Sequence, residues 1–324
     1  MQLTSTRSEI RLRNAEQFLG PKEERYFASG YKNITCELFN PHFSGDRLTA
    51  SLNLDCGKSL STKNGKIIDE HLGSIESSLI AIRSLELFLS VKYNLTDNEI
   101  SASCVKRIEF KTKPCSPSSN QQNDIEVTPI HFFGKNRDSF TGIFEILVKN
   151  FQFLIELDID RQFNPSEPSD KRFTENIINT THHYHQGYRL ASIDIENLLL
   201  DLQNRSVIAE SKVTHPNKVF EAGLGTKNLQ GLSFVEFLSI AGQLTQVLLY
   251  KLENSSREES NNMWVRSLSA DFLPVKTNQP IEVTSKAYFT EFNLVKVKGE
   301  LWRTVSAKFE IGNIHGSAKV CHII

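Results

Sequence analysis

The sequence predicts an α+β protein made of two copies of one module, in which an antiparallel sheet wraps a long buried helix. Two observations support this fold class: similar segments recur at a nearly constant offset, and each copy places alternating strands around a helix that is apolar on almost all sides. The length of 324 residues, 39% of them hydrophobic and 23% charged, suits a globular protein of about two domains.

The duplication is visible in three pairs of similar segments. They follow the same order along the chain, at offsets of 156 to 159 residues. The pairs are Arg25–Lys32 with His182–Arg189, Leu72–Leu85 with Gly231–Leu244, and Asp124–Thr128 with Pro280–Thr284. A shared order at a nearly constant offset is hard to obtain by chance, so we interpret the halves as copies of one module.

The duplication sets the expected domain boundaries. They are an N-terminal segment at 1–29, module 1 at 30–160, a linker at 161–180 and module 2 at 181–324. The linker begins with a stretch rich in proline, serine and charged residues, and its two closely spaced prolines disfavour both helix and strand.

Each module is expected to begin with a strand, continue with a helix and close with three more strands. Hydrophobic and polar residues alternate at 48–55, which is the period of a half-buried strand. The same alternation at 151–160 and 304–311 marks strands near the end of each module. Strands grouped after a single helix favour an antiparallel sheet.

The helix of module 2 has almost no polar surface between Leu232 and Leu248. A helix that is apolar all round is buried. One buried helix wrapped by an antiparallel sheet, present twice, is the pattern of a double hotdog, in which two antiparallel sheets each wrap a long helix.

Charge and composition exclude several classes of function. Lys and Arg number 37 against 38 for Asp and Glu, so the net charge is close to zero. We therefore expect no strongly basic surface of the kind that binds nucleic acids or anionic membranes. No apolar run is long enough to span a membrane, and the N-terminus lacks the apolar core of a signal peptide. Five scattered cysteines without a Cys-x-x-Cys motif argue against disulfides or structural zinc. We expect a cytoplasmic protein.

Residues 231–243 resemble the helix of hotdog acyl-thioester dehydratases, where a glycine opens the helix and a glutamate lies one turn in. The resemblance implies that Glu236 is the catalytic acid. Ile240 replaces the glutamine of that family, and its histidine before the glycine is absent from this copy. Module 1 carries His71 at the entry to its helix. The resemblance therefore implies a catalytic pair, His71 and Glu236, that meets across the two modules.

These residue types suit thioester chemistry. An imidazole can remove a proton beside a thioester carbonyl, and a carboxyl in an apolar tunnel can act as an acid. Gly73 and Gly231 would let helix-end amides approach the thioester oxygen. Ser233 and Gln243 share a helix face with Glu236 and complete the expected substrate-binding set. That face could instead meet solvent or the other module.

A longer resemblance begins at Phe18–Tyr31 and continues with His71-Leu72 at the first helix. Together with the overall length, these features make the chain similar to the bacterial avirulence D protein family. That family is implicated in making syringolides, which are acylated, sugar-derived signal lipids. Its chemistry resembles that of A-factor synthases, double hotdogs that join a β-ketoacyl thioester to a small hydroxylated acceptor.

The resemblance implies an acyltransferase whose acceptor is a ketopentose such as xylulose. The thioester would be a co-substrate on coenzyme A or an acyl-carrier protein, with no bound cofactor. Three alternatives stay open: a dehydratase or thioesterase on the same fold, a non-catalytic acyl-binding protein, and an effector that binds a host protein. A monomer and a homodimer are both compatible with the duplication.

The remaining histidines are interpreted more simply. In a strand, His183 and His185 would share one face while His182 faces the other side, and no nearby carboxylate completes a metal motif. No metal is therefore expected. His215 precedes a proline before the second helix and is a candidate to replace the missing histidine. Arg83 is expected to pair with a helix glutamate or to meet a carrier phosphate.

Overall fold

The structure is a computed structural model. It describes residues 9–55, 62–63, 66–67, 72–113, 124–136, 139–160, 182–215, 222–228, 231–274 and 281–324. His71 and the predicted linker, 161–180, lie outside the described residues.

Both halves of the chain share a central order of elements, namely a hairpin, a long helix and four strands. The first half contains β1 (Glu9–Asn14), α1 (Glu16–Leu19), β2 (Thr35–Ser44), β3 (Arg47–Asp55), the short strands β4 (Thr62–Lys63) and β5 (Lys66–Ile67), α2 (Ser74–Lys92), α3 (Asp97–Ala102), β6 (Cys104–Thr112), β7 (Ile125–Asn136), β8 (Ser139–Val148) and β9 (Phe151–Asp160). The second half contains a π-helical turn at His183–Gly187, α4 (Tyr188–Leu190), β10 (Ser192–Asp201), β11 (Ser206–Thr214), α5 (Phe234–Leu252), β12 (Trp264–Phe272), β13 (Ile281–Val297), β14 (Glu300–Ile311) and β15 (Ile314–Ile323). Short 3₁₀ turns occupy Lys22–Glu24, Gly30–Asn33 and Thr226–Asn228.

Thirteen of the strands in the described ranges form one antiparallel sheet. Their order is β1-β10-β11-β13-β14-β15-β12-β6-β9-β8-β7-β3-β2. Apart from β1, the order read inward from either end is the same: a hairpin, the three last strands of that half, and the strand that follows its long helix. The predicted α+β class with an antiparallel sheet is therefore confirmed.

Two expectations about the sheet are wrong. The sequence predicts two separate sheets, but β12 pairs with β6, with Leu268 opposite Phe110 and Ala270 opposite Ile108. An unpaired edge strand leaves its backbone N–H and C=O groups without partners, and this pairing removes two such edges. Each half also opens with a hairpin and closes with four strands, where one opening and three closing strands are expected.

The two long helices lie on the sheet and touch each other. α2 packs against β2, β7 and β8, and α5 packs against β10, β11, β13 and β14. Both are 19 residues long, and most of their side chains are buried. The predicted buried helix of the second half is thus confirmed. No helix in the described ranges is apolar and long enough to cross a membrane.

The halves also exchange elements. β1 pairs with β10 of the second half, with Leu12 opposite Leu198. The backbone carbonyl of Phe27 accepts a hydrogen bond from Ser239 Oγ on α5 at 2.5 Å. In return, the turn His183–Gly187 of the second half packs against α2. Each long helix therefore contacts residues of the other half, whereas the module limits themselves stay a prediction.

Candidate active site

The first turn of α5 contains a capping box that holds Glu236. Ser233 is the N-cap, and its backbone N–H and its hydroxyl both donate to Glu236 Oε2, the former at 2.7 Å. Glu236 N–H in turn approaches Ser233 Oγ at 3.5 Å. A Ser-x-x-Glu sequence before an apolar run forms this arrangement because each side chain satisfies an otherwise unpaired amide. One oxygen of the carboxylate is thereby committed to the helix.

The other oxygen, Glu236 Oε1, faces two histidines. His183 Nε2 lies 3.6 Å from it and His215 Nε2 lies 4.0 Å from it. His183 belongs to the π-helical turn and is fully buried, whereas His215 directly follows β11 and its side chain is 12% exposed. Oε1 makes no hydrogen bond within the described part of the chain. A buried carboxylate oxygen thus faces two imidazoles, of which His215 has the more exposed side chain, although its ring nitrogens are themselves buried.

Burial keeps both imidazoles neutral. It lowers the pKa of His183 from 6.5 to about 3. It also lowers the pKa of His215 to about 4, against the opposing charge of Glu236. A neutral imidazole is the form that can accept a proton at physiological pH. The arrangement can therefore act as a carboxylate-supported general base.

The first half also contributes to this site. The turn Gly30–Asn33 brings Tyr31 and Lys32 near Glu236. Burial raises the pKa of Tyr31, with a further contribution from the Glu236 charge. Burial lowers the pKa of Lys32, and the Glu236 charge opposes that effect. Glu236 is thus surrounded by ionisable groups from both halves of the chain.

The first turn of α2 also contains a buried glutamate, but that glutamate has a different hydrogen-bond partner. Glu76 aligns with Glu236 when the two helices are superposed by their first residues, an offset of 160 residues. Here Tyr26 Oη donates to Glu76 Oε2 at 2.6 Å and accepts from Ile75 N–H at 3.2 Å. Gly73 makes this possible, because a Cβ there would lie 2.2 Å from Tyr26 Oη. At the start of α2 a tyrosine therefore contacts the glutamate, whereas at the start of α5 two histidines face it.

The predicted site residues are only partly brought together. Glu236 and Ser233 meet in the capping box. The backbone N–H of Leu232, the residue after Gly231, donates to Asn313 Oδ1 at 3.1 Å. Because protein atoms already occupy these helix-end amides, they are not free to bind a thioester oxygen in this arrangement.

Gln243 and Gly73 hold the N-terminal loop. Gln243 Oε1 accepts from Arg25 Nη1 at 2.8 Å, and its Nε2 donates to the carbonyl of Phe27 at 3.3 Å. Gly73 seats Tyr26. His71 lies outside the described residues, so its pairing with Glu236 stays a prediction, as does the substrate-binding role of Gly73, Gly231, Ser233 and Gln243.

Sequence reasoning missed His183. It treats the histidine segment as a strand, whereas His183–Gly187 is a helical turn whose first amide donates to the carbonyl of Ala222 at 2.9 Å. The strand interpretation is wrong. It used only local alternation, which carries no information on a contact with a residue as far along the chain as Ala222. A usable signal was present: the repeat aligns His183 with Tyr26. His215, the named replacement histidine, does lie beside Glu236.

Several solved structures resemble the chain at low identity. One is a hot dog fold protein of unknown function from Alicyclobacillus acidocaldarius, with 8% identity, a TM-score of 0.42, and coverage of 88% of this chain and 96% of that one. Another is the acyl-CoA thioesterase II TesB2 from Mycobacterium marinum, with 7% identity, a TM-score of 0.39, and coverage of 89% and 94%.

Comparison by sequence gives one match. No curated protein sequence matches the chain. A family model described as Pseudomonas avirulence D protein (AvrD) matches residues 11–324.

Proposed function

The chain belongs to the Pseudomonas avirulence D protein (AvrD) family, and from this premise we propose that it is an acyl-thioester enzyme. It transfers a β-ketoacyl chain from a coenzyme A or carrier-protein thioester to a small hydroxylated acceptor. The acceptor is a ketopentose such as xylulose, and the product is a syringolide-like signal lipid. A duplicated hotdog arrangement, with both long helices on one continuous sheet, belongs to the same proposal and is supported by the matching strand order of the two halves.

The observation that carries the proposal is the arrangement of His215, His183 and Glu236. The Glu236 oxygen that is not used for capping faces both imidazoles. His215 is the partly exposed one, so we assign it the role of base. His183 faces the same oxygen but is fully buried, which suits a residue that positions Glu236 rather than one that touches substrate.

The reaction proceeds by acyl substitution. His215 Nε2 faces Glu236, so the other ring nitrogen, Nδ1, removes the proton of the acceptor hydroxyl. The negative charge of Glu236 stabilises the imidazolium that forms. The acceptor oxygen attacks the thioester carbonyl carbon and forms a C–O bond. The C–S bond then breaks, and the leaving thiolate takes the proton from His215. An ester and a free thiol result, so thiol release reports the reaction.

Glu236→Gln tests this role sharply. Glutamine also forms a capping box, so the variant keeps the helix start while it removes the carboxylate charge. With a β-ketoacyl-coenzyme A and xylulose, we expect xylulose-dependent thiol release to fall by about 100-fold or more. Glu300→Gln on the exposed start of β14 is the matched control and should keep the wild-type rate.

Each outcome of this assay has a meaning. Equal rates for Glu236→Gln and Glu300→Gln would contradict the assigned site. Thiol release that does not need xylulose would identify a thioesterase instead, and its complete absence in wild-type protein would favour an acyl-binding or host-binding protein. His215→Gln and His71→Ala, compared in the same assay, decide which histidine is the base.

A further inference from the structure

A second group of ionisable residues lines a cavity of about 610 Å³. The cavity lies between β2, α2, α3 and the turn His183–Gly187. Its lining includes Glu86 from α2, Asp97 from α3, and His182 and His185 from the turn. His183 is not part of this lining: its Nε2 lies 3.6 Å from Glu236 Oε1, while its neighbours His182 and His185 line the cavity.

Three of these side chains offer ligand atoms close to one another. Glu86, His182 and His185 each place one such atom within 4.8 Å of the other two. His185 Nε2 lies 3.5 Å from Glu86 Oε2, and His182 Nε2 lies 3.6 Å from Asp97 Oδ2. His182 directly precedes the π-helical turn as its N-cap and His185 lies within the turn, and the centroids of their rings are 5.4 Å apart.

The Glu86 carboxylate supplies an independent observation. Glu86 is 6% exposed, and its Oε1 accepts a hydrogen bond from Leu224 N–H at 2.6 Å. Its other oxygen, Oε2, is buried and has no well-aligned hydrogen bond within the described ranges. Leaving a carboxylate oxygen unsatisfied in a buried place is costly. The contact from Leu224 therefore aims a poorly satisfied anionic oxygen at the two imidazoles.

Arg83 also lines the cavity. Its Nη1 donates a hydrogen bond to the carbonyl of Cys36 at 2.6 Å, so this nitrogen already has a backbone partner.

The duplicated position, which also combines residues of both halves, lacks this ligand set. The repeat aligns His182 with Arg25 and His185 with Ala28, and the helix alignment puts Gln246 at the position of Glu86. Arg25 there donates to Gln243, which occupies the position of Arg83. The cluster is thus not a by-product of the duplicated architecture, since the second copy of the position has an arginine–glutamine contact instead.

We propose that Glu86, His182 and His185 bind one divalent transition-metal cation of the zinc class. Two imidazoles and one carboxylate are a ligand set of zinc sites that keep a fourth position open, whereas magnesium and calcium prefer oxygen ligands throughout. The open position faces the cavity. Asp97 lies beside His182 and orients its ring, as carboxylates next to metal-bound histidines do. The site is independent of the proposed acyl transfer.

Metal binding itself tests the site. Chelator-treated full-length protein is titrated with Zn²⁺ by calorimetry and with Co²⁺ by visible absorption. We expect one ion per chain and cobalt bands typical of tetrahedral or five-coordinate nitrogen and oxygen ligation. Glu86→Gln keeps an acceptor for Leu224 N–H, so it should fold like the wild type, yet we expect it to lower Zn²⁺ affinity by about 100-fold. His185→Ala should have the same effect.

Two controls separate this site from other histidines. His315→Ala, on the exposed face of β15, should bind Zn²⁺ like the wild type. Glu236→Gln should also retain binding. Failure of the wild type to bind Zn²⁺ or Co²⁺ overturns the proposal, as does loss of the ion in Glu236→Gln with retention in Glu86→Gln. Should His185→Ala not fold, the Glu86→Gln titration decides alone.

Discussion

At the scale of single residues, the partner of one glutamate distinguishes the two helix starts. Tyr26 donates a hydrogen bond to Glu76, whereas His183 and His215 face Glu236. A tyrosine hydroxyl with a raised pKa does not accept a proton near neutral pH, but a neutral imidazole does. The glutamate at one helix start is therefore paired with a tyrosine hydroxyl, and the glutamate at the other faces two neutral imidazoles.

Glu76 gives a pH-dependent prediction at this scale. Burial raises its pKa from 4.5 to about 7. The unfolded chain releases this proton near pH 4.5 and the folded protein only near pH 7, so the unfolded state binds fewer protons between these values. Folding stability should consequently fall as the pH rises through this window.

Glu76→Gln should abolish the decrease of folding stability with rising pH while it keeps an acceptor for Tyr26 Oη. We expect the variant to match the wild type at about pH 4 and to be more stable by about 2–3 kcal/mol at about pH 8. Urea unfolding at both pH values measures the difference. The same shift in Glu300→Gln, or none in Glu76→Gln, would contradict the assignment to Glu76.

At the scale of elements, α5 depends on a close contact with the N-terminal loop. The ring of Phe27 lies on the helix at Gly242, where an added Cβ would come within 2.5 Å of ring carbons. Alanine is the better helix former by about 1 kcal/mol. Overpacking a buried contact costs about 1–3 kcal/mol, so the steric effect should prevail.

Gly242→Ala is therefore expected to lower the free energy of unfolding, with a net loss of about 1–2 kcal/mol. Thermal and urea unfolding of the full chain measure this change. In a Phe27→Ala background the clash is gone, so there the same substitution should be neutral or stabilising. A Gly242→Ala variant as stable as the wild type in the native background would show that the loop does not pack on α5.

At the scale of the whole molecule, the halves are joined by several separate contacts. β12 pairs with β6, β1 crosses to β10, and α2 touches α5. Each contact buries apolar side chains or pairs backbone groups that would otherwise be exposed at a sheet edge. The two halves should therefore not separate without unfolding.

A protease site inserted in the predicted linker at 161–180 tests this expectation. After cleavage, the two fragments should elute together from a gel-filtration column as a 1:1 complex, and they should unfold in a single transition. The uncut protein with the same insertion is the control. Fragments that separate under native conditions would contradict the interlocked architecture.

Much of the fold could be predicted from the sequence because side-chain periodicity is a local property. Alternation at 48–55, 151–160 and 304–311 predicts strands that the structure contains, and the apolar run before Leu248 predicts α5. The duplication also needs only the order of residues. For the candidate site, a family resemblance pointed to Glu236, and the position of His215 suggested a replacement base.

The tertiary structure alone decided which groups meet. The histidine segment forms a helical turn whose first amide donates to the carbonyl of Ala222. In this turn His183 lies beside Glu236 and His185 lies beside Glu86. The pairing of β12 with β6 likewise joins strands that are far apart in sequence. Periodicity reports which face of an element is buried, but not which distant side chain lies against it. That choice depends on packing between the two halves, and it sets the chemistry of both clusters.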